Sequence, residues 1–240
     1  MGVMKKFIFP ESRCRRHSSV VHFLALSGGF QDAYTYNTRN EVFSNAQTGN
    51  VVLMSQNFMT GKWEAGLKYL FPLFAFALGV LIAEQIQNKY KYARRLHWRQ
   101  GILGAEILIL FVVGFIPQRG NMIATVLVSF ACAMQVQSFR KVNGFSYAST
   151  MCIGNLRSGT AALSFYLREK KPEQLRQAMY YFGIIVLFAV GAGIGGNLSA
   201  NYGIHMIWVS ATFDRQLPAD VPGYRIPEKR KIKKGTKKRH

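Results

Sequence analysis

Cysteine is nearly absent. The three present, Cys14, Cys132 and Cys152, have no metal-ligand spacing, and the last two sit in apolar surroundings where cysteine acts as a small hydrophobe. No disulfide framework is implied. Histidine is also scarce, and His22, His97 and His205 have neither mutual spacing nor a carboxylate companion suited to zinc or a catalytic dyad. No Gly-x-Ser-x-Gly elbow occurs, and the glycine run at 191–196 follows an apolar span and not a soluble strand, so close helix packing is its expected role. No catalytic residue, metal or cofactor is expected. The first residues carry cations, but the apolar run Phe7 to Phe9 is too short for a signal-peptide core, and no cleaved leader is expected.

Acidic residues are few as well: 11 Asp and Glu stand against 31 Lys and Arg. The cations gather at the N-terminus, at 89–99 and in the final residues, between apolar segments and not within them. Clustered cations beside apolar spans are what orients a membrane protein, because positive loops stay in the cytoplasm. A basic soluble nucleic-acid binder has no use for a segment such as Phe71 to Ile86, so nucleic acid is not an expected partner.

Apolar stretches of spanning length lie at about 20–36, 66–88, 101–117, 121–139, 148–166 and 176–200. The segment 43–60, FSNAQTGNVVLMSQNFMT, is ambiguous: its amides and hydroxyls suit a helix buried among others, or one that enters the membrane and turns back. Six crossings keep 89–99 and the tail on the inner side with the N-terminus, leaving Arg39, Lys62, Lys68, Arg119, Arg168, Lys170, Lys171 and Arg176 outside. The basic turn at 168–171 is the weak point of that count. A faint repeat sets FLALSGGFQDA beside VSFACAMQVQSF, NAQTGNVVL beside TMCIGNLRS, and LKYLFPLFAFALGV beside MYYFGIIVLFAVGAG. It favours seven helices in a three-one-three plan with parallel halves.

The expected fold is thus an all-α, polytopic transmembrane helix bundle of about six spans, seven being possible, with a weak internal repeat of three-helix units. Residues 1–19 read as a basic cytoplasmic N-terminus, 20–207 as the transmembrane domain, and 208–240 as a disordered polybasic cytoplasmic tail. A charged group in the bilayer centre costs roughly 2.5–3.5 kcal/mol on insertion scales, so each needs a partner or a watery cavity. Asp32, after Gly28 and Gly29, and Arg157 are the foremost such groups, and pairing between them is one expectation. Gln47, Thr48, Gly49 and Asn50, with Gly154 and Asn155, suit a helix break whose freed backbone groups hold a substrate, or a close helix contact. Gln135, Gln137 and Ser138 extend the amide theme. Glu84 and Glu106, nearer the basic loop at 89–99, read as interfacial. Glu41 is a lesser candidate.

The pieces Gly28-Gly29-Phe30-Gln31-Asp32-Ala33 and Gln47-Thr48-Gly49-Asn50 resemble the signature of the YoaK-like family, bacterial membrane proteins classed as a domain of unknown function. The resemblance covers about residues 18 to 205 and implies a multi-span protein of the bacterial cytoplasmic (inner) membrane; it implies no activity. The reading favoured by the residues is a small permease-like transporter with a polar cavity formed by Asp32, Gln47, Thr48, Asn50, Asn155 and Arg157, acting on an unidentified small molecule. The rival is a non-transporting scaffold or sensor whose tail binds anionic lipid headgroups or a partner.

Overall fold

The computed structural model describes residues 11–90, 98–139, 141–142, 145–146 and 150–215, with backbone alone for 11–20, 141–142, 145–146 and 215. The cations of 1–10 and 91–97, and the tail from 216 on that was expected to lack a fold, lie outside the described residues.

Among the described residues the fold is all-helical apart from an antiparallel bridge of two residues a side between Lys141–Val142 and Phe145–Ser146. In chain order the helices are α1 (Glu11–Thr38), α2 (Gln47–Met59), α3 (Trp63–Tyr90), α4 (Trp98–Val113), α5 (Asn121–Ser138), α6 (Cys152–Glu169), α7 (Pro172–Tyr202) and α8 (Ile207–Arg215). Among the described residues, three segments, Trp63–Tyr90, Gln118–Ser138 and Pro172–Asp214, are long and apolar enough to cross a membrane. Their outward faces are those of a protein solvated by lipid: Phe71, Phe74, Leu78 and Leu81 recur at helical spacing on α3, and Met179, Val186, Val190 and Ile194 on α7, all exposed.

The inside of the bundle is built on α1, whose Val21, Leu24, Ala25, Ser27, Phe30, Gln31, Tyr34 and Thr35 are fully buried. Small residues let α7 lie against it. A Cβ on Gly191 would stand 2.1 Å from the Leu26 carbonyl oxygen, one on Gly29 would stand 2.0 Å from that of Phe188, and one on Gly195 would stand 2.7 Å from Phe30 Cα. Backbone meets backbone there, as glycine permits between membrane helices. Leu26 faces Gly191 and Phe30 faces Gly195, so α1 and α7 run parallel. The helices α3 and α5 make a matching parallel contact: a Cβ on Gly79 would stand 2.6 Å from the Phe130 carbonyl oxygen, and Glu84 meets Gln137 further along.

Two features depart from the sequence reading. The helices α1 and α5 are antiparallel, since Leu24 packs with Phe139 while Cys132 reaches Gln31 and Asn121 reaches Arg39. Parallel halves do not describe that arrangement. The apolar pattern that ended at 207 continues structurally as α8, with Ile207, Ser210 and Asp214 buried. It turns back into the bundle: Tyr34 Oη donates to the Ile204 carbonyl at 2.8 Å, Gln31 Nε2 to Ser210 Oγ at 3.0 Å, and Ser27 Oγ to Asp214 Oδ2 at 3.1 Å. Rising numbers on α8 meet falling numbers on α1, so the two are antiparallel.

The segment 43–60 is not buried among helices. Its helix α2 spans roughly 20 Å, short of a hydrocarbon core of about 30 Å, packs on α3 at the bundle's edge and buries only Asn50. Beyond Thr38 the chain doubles back along α1, with Phe43 stacked on Tyr36 at 4.9 Å and Asn45 beside Asp32 and Gly28, before α2 begins. The helix then runs outward again until Phe58 meets Gly66 of α3. On the other side of the same spot, Thr150 reaches Gly28 just ahead of α6.

Candidate functional site

Two polar layers occupy the bundle. The first joins the two glycine-bearing pieces singled out from the sequence. Asp32 Oδ1 accepts from the Asn45 backbone N–H at 2.6 Å and from Ser44 Oγ at 3.0 Å, while Asn45 Nδ2 donates to the Gly28 carbonyl at 3.3 Å. Gln47 Nε2 donates to the Ser44 carbonyl at 2.9 Å. The Asn50 amide closes on the peptide of Phe43, accepting from its N–H at 3.0 Å and donating to its carbonyl at 2.7 Å, and also donates to Gln47 Oε1 at 3.0 Å. An asparagine amide has one acceptor and two donor hydrogens, so all of Asn50's donor capacity is spent on this clamp. Asp32, Gln47 and Asn50 thus hold the returning loop against α1.

The remaining sequence-predicted residues are placed apart from these three. Thr48 is exposed at the start of α2, Asn155 is buried on α6, and Arg157 is exposed. The partners of Asp32 are Ser44 and Asn45 and not Arg157. Exposed on the outer side of α6, Arg157 points away from the core in which α1 lies.

The second layer lies deeper. Glu106 on α4 and Asp214 on α8 are 0% and 2% exposed, and among the described residues neither has a cation within salt-bridge range. Gln135 Nε2 on α5 donates to Glu106 Oε1 at 2.9 Å and stands 3.4 Å from Asp214 Oδ1. Gln31 Nε2 on α1 reaches the same Glu106 oxygen at 3.3 Å, and Gln31 Oε1 accepts from Cys132 Sγ at 2.6 Å. Ser27 and Ser210 meet at 2.8 Å and complete the group. Glu106 Oε2 and Gln135 Oε1 are buried without a partner among the described residues. Glu106 is thus central and not interfacial. Glu84 is half-buried and bonded to Gln137 on α5.

Sequence reasoning passed over Asp214, Ser210, Ser27 and Gln31. The available signal was the apolar run Ile207 to Phe213 leading into Asp214, and Glu106 as the one acid in GILGAEILILFVV. Arg39 was also missed: assigned to an outer loop, it is fully buried and donates to the carbonyls of Val113 and Ile116 at the end of α4, to Asn121 Oδ1 and to Tyr34 Oη. A guanidinium fork can serve several acceptors at once, which the unpaired carbonyls at a helix end require. At this end of the bundle an open depression of about 430 Å³ is lined by Tyr36, Asn37, Asn40, Lys68 and exposed Glu41 among others. None of the six sequence-predicted site residues borders it.

Residues 20–213 match the family described as Protein of unknown function (DUF1275). The chain is similar to UPF0700 transmembrane protein YoaK of Bacillus subtilis (strain 168), with 26% identity over 204 residues that cover 80% of this chain and 88% of that protein. No solved structure matches.

Proposed function

The chain belongs to the DUF1275 family, and from that membership and the helix geometry we propose a small permease-like secondary transporter of a bacterial cytoplasmic membrane, built from two inverted halves. The observation that carries this reading is the return of the chain after α1 to the level of Gly28 and Asp32, from which α2 starts outward. Short helices that begin inside the membrane are the recurring means by which transporters present backbone and polar groups to a substrate. Thr150, ahead of α6, approaches Gly28 from the other half.

Inverted halves would pair α1–α4 with α5–α8. Three correspondences support this. Gly191 lies on the Leu26 carbonyl as Gly79 lies on that of Phe130. Gln31 stands 3.3 Å from Glu106 as Gln135 stands 3.4 Å from Asp214. Asn50 and Asn155 are both buried near the starts of their helices, α2 of 13 residues and α6 of 18. Antiparallel α1 and α5 put the relating axis in the membrane plane. If α2 and α6 both turn back, Arg168, Lys170, Lys171 and Arg176 move to the side of the N-terminus and tail, and Arg39, Lys62, Lys68 and Arg119 remain opposite, in better accord with positive loops being cytoplasmic. The returning α8 directs the chain's end to that same side, where the polybasic tail would meet anionic lipid. We assign the substrate path to the starts of α2 and α6, with Thr48 and Arg157 at its surface and Asp32, Gln47, Asn50 and Asn155 holding the backbone around it.

Two measurements test this reading. A membrane-impermeant maleimide should label Lys62→Cys from outside the cell and Lys170→Cys only after the cytoplasmic side is opened; labelling of both from one side overturns the inverted plan. Purified protein on solid-supported membranes should show substrate-induced currents with at least one compound from a panel of amino acids, nucleobases, sugars and organic acids. Correct labelling with a silent panel replaces transport by the scaffold or sensor reading, in which the same groups only lock helices together.

A further inference from the structure

We propose that Glu106 and Asp214 together hold one exchangeable proton at the centre of the bundle. The first ground is geometric: two carboxylates on antiparallel helices α4 and α8, each at least nine-tenths buried, are joined through the single amide nitrogen of Gln135 at 2.9 and 3.4 Å. Two bare anions so placed, with no cation within salt-bridge range among the described residues, repel each other in a medium that solvates neither, and one proton between them removes the repulsion and one of the two desolvation costs.

The second ground is independent. Glu106 Oε2 and Gln135 Oε1 are buried acceptors with no donor among the described residues, on side chains already bonded to each other. In folded proteins the large majority of buried polar atoms have a hydrogen-bond partner. A proton on Glu106 turns one of these two acceptors into a donor, which is the group the cluster lacks. The surrounding contacts favour a proton over a metal cation. Gln31 Nε2, Gln135 Nε2 and Ser27 Oγ all point hydrogens at the carboxylates, where a sodium ion would call for oxygen lone pairs.

Among the described side chains, the ionisable groups nearest the pair on the surrounding helices are Cys132 on α5, which bonds Gln31, and Asp32 on α1, which is occupied by Ser44 and Asn45, while Arg99 at the start of α4 donates to the Ser138 carbonyl. Glu84 on α3 is engaged by Gln137, and Arg39 at the far end of α1 is spent on Val113, Ile116, Asn121 and Tyr34. His205 precedes α8 and contacts the Gly114 carbonyl, away from Asp214. Binding forms one O–H bond on a carboxylate oxygen and release returns the proton to water, with no electron transferred. Service of this proton as a coupling ion rests on the transport reading, whereas its presence does not.

Infrared spectroscopy of the purified full-length protein near neutral pH, in sodium and in choline buffers, tests the site by the C=O stretch of a protonated carboxyl and its shift in D₂O. The band is expected in both buffers, retained in Asp32→Asn, and lost or displaced in Glu106→Gln and in Asp214→Asn. These isosteric amides keep the shape of the cluster, and the wild-type spectra stand even where a variant fails to fold. No band in either buffer, a band in choline alone, or a band unchanged in both Glu106→Gln and Asp214→Asn overturns the proposal. Proton uptake into proteoliposomes carrying a trapped pH dye reads coupling separately: the band without proton movement supports the site and removes its coupling role.

Discussion

Gln31 on α1 and Gln135 on α5 deliver their amide nitrogens to the same Glu106 oxygen, at 3.3 and 2.9 Å. Gln135 also reaches Asp214, so it links α4, α5 and α8, whereas Gln31 ties α1 to α4 and, through Ser210, to α8. Replacing either by leucine leaves the buried glutamate short of a donor. For Gln135→Leu a loss of about 1–2 kcal/mol is expected from measured costs of buried polar groups and interhelical hydrogen bonds. Reversible unfolding in mixed detergent micelles measures it, and a stability equal to the wild type would show that the amide bridges nothing.

Asp32 is expected to act on stability before it acts on anything else. Asp32→Ala removes the acceptor for the Asn45 N–H and the Ser44 hydroxyl and should cost about 1–3 kcal/mol. Asp32→Asn retains a side-chain carbonyl for that N–H and should cost less. Hydrogen exchange at the Asn45 amide provides the local readout: it should quicken in the alanine variant and change little in the asparagine variant.

Glycines on one helix should divide sharply by face. A side chain at Gly191 or Gly29 meets a carbonyl oxygen of the facing helix at 2.1 or 2.0 Å, and backbone has no rotamer by which to move aside. Gly191→Val and Gly29→Val should therefore part α1 from α7 and abolish a monodisperse folded peak in size-exclusion chromatography. Gly193, two residues along α7, has nothing within 4 Å. Gly193→Ala should melt at or above the wild-type temperature, helped by up to about 1 kcal/mol of helix propensity.

Arg39 offers a test of geometry against charge. Lysine keeps the positive charge but cannot reach the Val113 and Ile116 carbonyls, Asn121 and Tyr34 together. Arg39→Lys should lose about 1–3 kcal/mol, as expected when buried acceptors are left unpaired. A thermal melt indistinguishable from the wild type would mean that charge alone matters at the end of α4.

Much of the bundle was legible because lipid imposes a simple rule: a segment that crosses it must be apolar and must satisfy its own backbone. Each of the six apolar stretches overlaps a helix, and the glycine run at 191–196 packs closely at Gly191 and Gly195 as its composition implied. The site was legible only in part. Asp32, Gln47 and Asn50 stood out as polar groups beside glycines, yet most of their partners are backbone groups of residues 43–45, and backbone carries no side-chain signature. The parallel sense given to the repeat failed for a related reason: matching residue types along two segments says nothing of the direction in which each crosses the bilayer.

Sequence by itself determined that this chain is a helical membrane protein with a basic tail and a few polar groups inside, because hydrocarbon sorts residues by transfer energy alone. Tertiary structure decided which of those groups meet. Glu106 and Asp214 lie far apart in the chain and beside unremarkable neighbours, and only the return of α8 along α1 and α4 brings both to the amide of Gln135. That encounter depends on helix directions and on close backbone contacts at Gly29, Gly79 and Gly191, which are set by packing between segments and not by the composition of any one of them.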